Sequence, residues 1–141
     1  MRRLAHPWHW LLLLGLALWW AAAAQQPARV VYHATIAGMI DLGLAPYVQR
    51  TLDAAEAAGA QAVVLEINTF GGRVDAAVQI RDALLTSKVR TIAFVNKRAI
   101  SAGALIALAS QQVVMAGGST MGAATPVQAG GGGTTMLPVE E

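Results

Sequence analysis

Cysteine is missing altogether from the 141 residues. Disulfide bridges are thereby excluded, which fits an exported protein without requiring one. Lysine is nearly missing, since Lys88 and Lys97 are the whole supply. Of the three histidines, His6 and His9 stand at the extreme amino end and leave His33 alone in the body of the chain. The four tryptophans, Trp8, Trp10, Trp19 and Trp20, fall in the same end. A basic excess is also lacking once Arg2 and Arg3 are set aside. Lys+Arg then falls from 10 to 8, which equals the 8 acidic residues, so the formal charge goes from +2 to zero. No basic patch remains to suggest a nucleic-acid partner.

What is present begins with an export signal. Arg2 and Arg3 supply the positive start, Leu11 to Trp20 the apolar centre, and Ala22-Ala23-Ala24 the small-residue cleavage pattern. The apolar run is shorter than the ~20 residues a membrane span needs. Cleavage between Ala24 and Gln25 is therefore expected, with an uncleaved anchor as the alternative. Residues 25–141 then form one modest domain.

Within that domain, strand and helix patterns alternate. Val30 to Ile36 is rich in β-branched residues and reads as a strand. Leu44, Val48, Leu52 and Ala55 recur at helical spacing up to Gly59. Ala62 to Ile67 is a second strand. Val74, Ala77, Val78, Leu84 and Leu85 give the next helix its apolar side. Thr91 to Val95 is a third strand, Ala104 to Ala109 a buried helix, and Gln112 to Met115 a short fourth strand. This alternation predicts α/β architecture built from βαβ units with a mostly parallel sheet. Gln128 to Thr135 is glycine-rich; composition alone reads it as a flexible linker, and a mobile loop over a site is the functional alternative.

Two stretches carry the chemistry. Asn68-Thr69-Phe70-Gly71-Gly72-Arg73 follows the second strand and precedes a helix. Adjacent glycines allow a sharp turn and a close ligand approach. Amides beside a helix start point N–H groups at an anion or an oxyanion; a plain strand-to-helix turn has the same sequence requirements. Asn96 to Ala104 repeats the arrangement, with Ser101 where the third strand enters a helix. Ser101 is either a helix N-cap or a nucleophile. Ligands of parallel sheets gather at the carboxyl ends of strands, so both stretches are expected to open onto one edge. Arg73 is either a solvated charge or part of a groove wall.

Asn68-Thr69-Phe70-Gly71-Gly72 followed by Ala99-Ile100-Ser101-Ala102-Gly103, and then by Met115 to Pro126, resembles the Clp-protease/crotonase superfamily. Within it, the pattern is similar to NfeD-type membrane-bound serine proteases, over about Val30 to Pro126. The resemblance implies a Ser–Lys endopeptidase working through an acyl-enzyme. Ser101 would be its nucleophile, with an oxyanion hole from Gly71, Gly72 and the amide of Ala102. It also implies membrane association and a stomatin-like protein as partner and substrate. A homodimer or higher homo-oligomer is expected, on the extracytoplasmic side, with no cofactor and no metal.

The general base is the gap in this reading. Clp-type enzymes carry a histidine before a Gln-Pro pair, whereas this chain has Ala124 before Thr125-Pro126. NfeD-type enzymes use a lysine beyond that segment. A buried lysine is neutral near pH 7 because desolvation lowers its pKa. Lys88 is expected to be solvated, Lys97 lies in the same turn as Ser101, and His33 sits in a strand. The base is therefore expected beyond Glu141, in a longer protein that also carries the membrane spans. Two other functions share the fold: a non-catalytic membrane-assembly scaffold, and a crotonase-like acyl-thioester enzyme, against which export argues.

Overall fold

The computed structural model describes residues 29–124, together with the backbone of Val127–Gly130 and Gly133–Met136. The expected leader and the Thr125-Pro126 pair lie outside the described residues. Among the described residues 29–124 there are five parallel strands and three helices. The strands are β1 (Val31–Ile40), β2 (Ala62–Gly72), β3 (Thr91–Ile100), β4 (Gln112–Met115) and β5 (Thr120–Gly122). The helices are α1 (Leu44–Ala57), α2 (Val74–Thr86) and α3 (Ala102–Ala109). The sheet runs β1-β2-β3-β4, and β5 continues the β4 edge farther along β3. Ile92 to Val95 pairs with Gln112 to Met115, and Arg98 to Ile100 with Thr120 to Gly122. All of these pairings are parallel, as the alternation of elements predicts.

The period-2 geometry of strands sorts the side chains onto two faces. Val63, Leu65, Ile67 and Thr69 are buried on one face of β2, while Val64, Glu66 and Asn68 are half-buried on the other. On the buried face α1 packs against β1 and β2, α3 against β2 and β3, and α2 bridges α1 and α3. Ile36, Leu65, Ile67, Val95, Ile80 and Ile106 are fully enclosed there. On the opposite face His33, Glu66 and Asn96 form a polar row across β1, β2 and β3. His33 Nε2 lies 3.0 Å from Glu66 Oε2, and Asn96 Nδ2 donates to Glu66 Oε1 at 2.6 Å.

Helix α1 starts where Asp41 Oδ1 accepts the N–H groups of Gly43 and Leu44, at 2.9 and 3.1 Å. It buries Ala45, Val48, Leu52 and Ala55, the stripe expected from the sequence except that Ala45 replaces Leu44. Helix α2 departs further. Ala76, Ala77, Ile80 and Leu84 are buried, whereas Val74 and Leu85 are 66% and 65% exposed. Ile80, not either of these two, anchors the helix.

Three strands run farther than their apolar runs suggest. β1 continues to Ile40, β2 to Gly72 and β3 to Ile100. Each extension passes through an irregularity. β1 shifts register around Gly38, and between Val95 and Ala99 β3 places three residues, Asn96 to Arg98, against the single Asn68 of β2. Bulges of this kind re-aim side chains next to sites. Farther along, the backbone of Val127–Gly130 pairs antiparallel with that of Gly133–Met136, so these described parts of the glycine-rich run are strands where composition alone suggests no structure.

Candidate active site

The ends of β2 and β3 lie side by side at the carboxyl edge of the sheet, and the two motifs meet there. Gly71 has φ +109°, a region that L side chains rarely adopt. A β-carbon on Gly71 would stand 2.8 Å from Ser101 Cβ, 3.0 Å from the Ile100 carbonyl and 3.3 Å from Ser101 Oγ. Gly72 is pressed onto Ile40, whose backbone oxygen a β-carbon would overlap. The Arg73 N–H donates to that Ile40 carbonyl at 2.8 Å. Both glycines are therefore sites of close approach, Gly71 to the serine and Gly72 to β1.

Ser101 has φ 55° and ψ −120°. A non-glycine residue held there costs on the order of 1–3 kcal/mol, and such residues cluster at functional sites. Its neighbours hold it in place: Ser101 N–H donates to the Gly122 carbonyl on β5 at 2.8 Å, and its own carbonyl accepts from Ala104 N–H at 2.9 Å. Ser101 occupies the N-cap position of α3 without a side-chain cap hydrogen bond. Among the described residues its hydroxyl makes no hydrogen bond. The N-cap alternative thus accounts for its position but not for its oxygen. A strained serine on a sharp strand-to-helix turn, with Oγ presented at the sheet edge, has the geometry of a nucleophile elbow.

Two of the three expected oxyanion donors, Ala102 and Gly71, stand differently. Ala102 is the first residue of α3, so its N–H has no intrahelical acceptor, and among the described residues it takes no other partner. Gly71 N–H instead donates to Thr69 Oγ1 at 2.9 Å. Gly71 therefore lines the serine sterically while its donor is already engaged.

Thr69 is the residue that sequence reasoning passed over. It is 1% exposed, and its hydroxyl also donates to the Gly38 carbonyl at 2.5 Å. Its methyl fills the place where a Gly103 side chain would stand. One threonine thus ties the kink in β1, the turn after β2 and the first turn of α3. Alternation supplied the signal: Thr69 shares parity with Val63, Leu65 and Ile67, and a hydroxyl on a buried face needs partners. The smallness of Gly103 makes room for Thr69.

The candidate bases are far from Ser101 or turned outward. His33 stands level with Val64 on β2, seven residues before Gly71, about 23 Å along the strand. Lys88 precedes β3, at the opposite edge of the sheet. Its Nζ donates to Glu56 Oε1 at 2.7 Å, which holds its pKa above the ordinary lysine value, the wrong direction for a base. Lys97 sits in the β3 bulge with its side chain exposed. Arg73 is paired with Asp75, Nη2 to Oδ2 at 2.6 Å. Beside the turn lies a cleft of about 600 Å³, lined by Met39, Asn68, Phe70, Gly71, Gly72 and Arg98 among others. Ser101 is not in that lining; Gly71 borders both. Among the described residues no cluster of His, Cys, Asp and Glu is suited to a metal.

The parallel sheet with a strained serine after β3 and a double glycine at the end of β2 defines an α/β domain of the ClpP-like class. The NfeD1b N-terminal domain family matches residues 30–135, and the chain belongs to it. The membrane protein NfeD1b of Bacillus subtilis is 40% identical over 119 residues, covering 84% of this chain and 26% of its own length. The membrane-bound protease PH1510 of Pyrococcus horikoshii is 34% identical over 120 residues, covering 83% and 27%. Its N-terminal domain, 1510-N, has been solved as a stomatin-specific protease, in a lysine-to-alanine mutant with a substrate peptide. That structure superposes at a TM-score of 0.71 with 33% identity, over 80% of this chain and 54% of that one. ClpP1 of Listeria monocytogenes superposes at 0.53 with 29% identity, over 55% of this chain and 46% of that one. The chain thus spans about a quarter of the length of the curated relatives it matches. Those relatives are membrane proteins; among the described residues no helix is long and apolar enough to cross a membrane.

Proposed function

We propose that the chain carries the nucleophile and oxyanion donors of a membrane-associated serine endopeptidase. The observation that carries this is Ser101: a strained backbone presents a hydroxyl that caps nothing, against a glycine with no room for a side chain. The proteases among the relatives support the same reading, and they lend no support to a scaffold role or to acyl-thioester chemistry. Ser101 Oγ attacks the substrate carbonyl carbon and loses its proton to a base. The carbonyl oxygen becomes an oxyanion held by the N–H of Ala102, with Gly72 as second donor. Collapse expels the amine, which takes up the proton, and water then hydrolyses the acyl-serine. Removing one such donor typically lowers the rate about 10²–10³-fold.

The base is a lysine beyond Glu141, a reading supported by 1510-N, whose complex with a substrate peptide is of a lysine-to-alanine mutant. The substrate is an extended polypeptide, drawn from a stomatin-like membrane partner as in 1510-N. The enzyme works as a homo-oligomer on the extracytoplasmic side of the membrane, its leader removed after Ala24. Treatment of the full-length protein with a fluorophosphonate, followed by peptide mapping, is expected to find the label on Ser101. Label on another serine, or none while a control serine hydrolase reacts, contradicts the assignment.

A further inference from the structure

The cleft beside the turn has an asymmetric wall. Met39 and Phe70 are 78% and 74% exposed and give it two apolar surfaces. The Arg98 guanidinium carbon lies 4.3 Å from the centroid of the Phe70 ring. Stacking of this kind is attractive and restricts where the guanidinium can point. Among the described residues lining the cleft, Arg98 alone carries a charge. Arg73 on the far side of the turn is neutralised by Asp75, whereas among the described residues no carboxylate lies within ion-pair distance of Arg98. Its charge is therefore free to act on whatever enters the cleft.

Arg98 also stands at a defined place relative to the serine. It precedes Ser101 by three residues on β3, about 10 Å back along the strand. An extended peptide covers that distance in three of its own residues. We propose that Phe70 and Arg98 form a specificity subsite that takes a carboxylate-bearing side chain of the substrate, within three residues of the scissile bond and next to an apolar residue resting on Met39. The planar guanidinium suits this class of ligand, because it engages a carboxylate through two parallel hydrogen bonds. This rests on the peptidase reading and adds to it a preference for acidic over basic residues beside the apolar anchor.

The test is binding of three fluorescein-labelled decapeptides to the full-length Ser101→Ala protein, followed by anisotropy. The peptides share one apolar anchor and differ in carrying Glu, Gln or Lys at its neighbours. The Glu peptide is expected to bind about tenfold more tightly than the Lys peptide at low salt, with the gap narrowing as salt screens the charge. Arg98→Gln is expected to level the three, and Arg98→Glu to reverse their order. Equal binding of all three to the Arg98 protein, or a Glu preference that survives Arg98→Gln, overturns the subsite and leaves the peptidase reading intact. Absence of binding by every peptide overturns both.

Discussion

Gly71 and Ser101 face each other with no space for a methyl group between them: a β-carbon on Gly71 would lie 2.8 Å from Ser101 Cβ. Gly71→Ala therefore meets two obstacles, the contact with Ser101 and a φ of +109°. Strain of that kind costs on the order of 1–3 kcal/mol, and any relief moves the serine. The expected outcome is a lower Tm together with loss of most hydrolysis. A Gly71→Ala protein that melts and cleaves like the parent would show that the two chains can separate without consequence.

Thr69 separates a hydrogen-bonding role from a packing role. Thr69→Val keeps the shape but leaves the Gly71 N–H and the Gly38 carbonyl without the hydroxyl, a loss of roughly 1–3 kcal/mol for buried groups. Thr69→Ser keeps the hydroxyl and removes the methyl beside Gly103, a loss of about 1 kcal/mol. Denaturant unfolding ranks the two, and amide exchange at Gly71 is expected to speed up only in Thr69→Val. The reverse ranking would make Thr69 a space filler.

The two lysines are expected to be dispensable for chemistry. Lys88→Met and Lys97→Met in the full-length protein are each expected to keep hydrolysis within about twofold, a barrier change of roughly 0.4 kcal/mol. Loss of several powers of ten in either would identify the base within the described residues.

The pair at the start of α2 gives a pH dependence of known sign. The hydrogen bond from Arg73 holds the Asp75 carboxyl below its ordinary value of 3.8. A carboxylate depressed in the folded state contributes stability above the unfolded value and loses it as pH falls through the folded one. Asp75→Asn is thus expected to lower Tm slightly at pH 7, with the difference vanishing in acid as pH falls below that ordinary value. Both partners are well exposed, so the shift is small. A difference that grows in acid would contradict the assignment.

Much of this arrangement is legible in the sequence because it rests on local rules. Gly71-Gly72 and Ser101 follow apolar runs and precede helical ones, which places both at strand ends without knowledge of the fold. The reach of β3 is not legible: Asn96, Lys97 and Arg98 are polar, and a bulge carries them along an edge that β5 completes. The β5 strand is three residues long, too short for any periodicity to show. The engagement of the Gly71 amide by Thr69 depends on a side-chain rotamer across a turn, which no spacing encodes. Val74 and Leu85 mislead for a different reason, since α2 packs mainly between two helices and buries a narrow stripe.

The central claim is that Ser101 is a nucleophile, and Ser101→Ala in the full-length protein tests it most directly. The hydroxyl makes no cap hydrogen bond, so its removal is expected to leave the melting temperature nearly unchanged. A nucleophile's removal lowers kcat by several powers of ten. Matched wild-type and Ser101→Ala proteins, each given the same apolar peptide and melted in parallel, are expected to share a Tm while only the wild type cleaves. Cleavage by Ser101→Ala within about tenfold of wild type, a barrier change of only about 1.4 kcal/mol, would contradict the account.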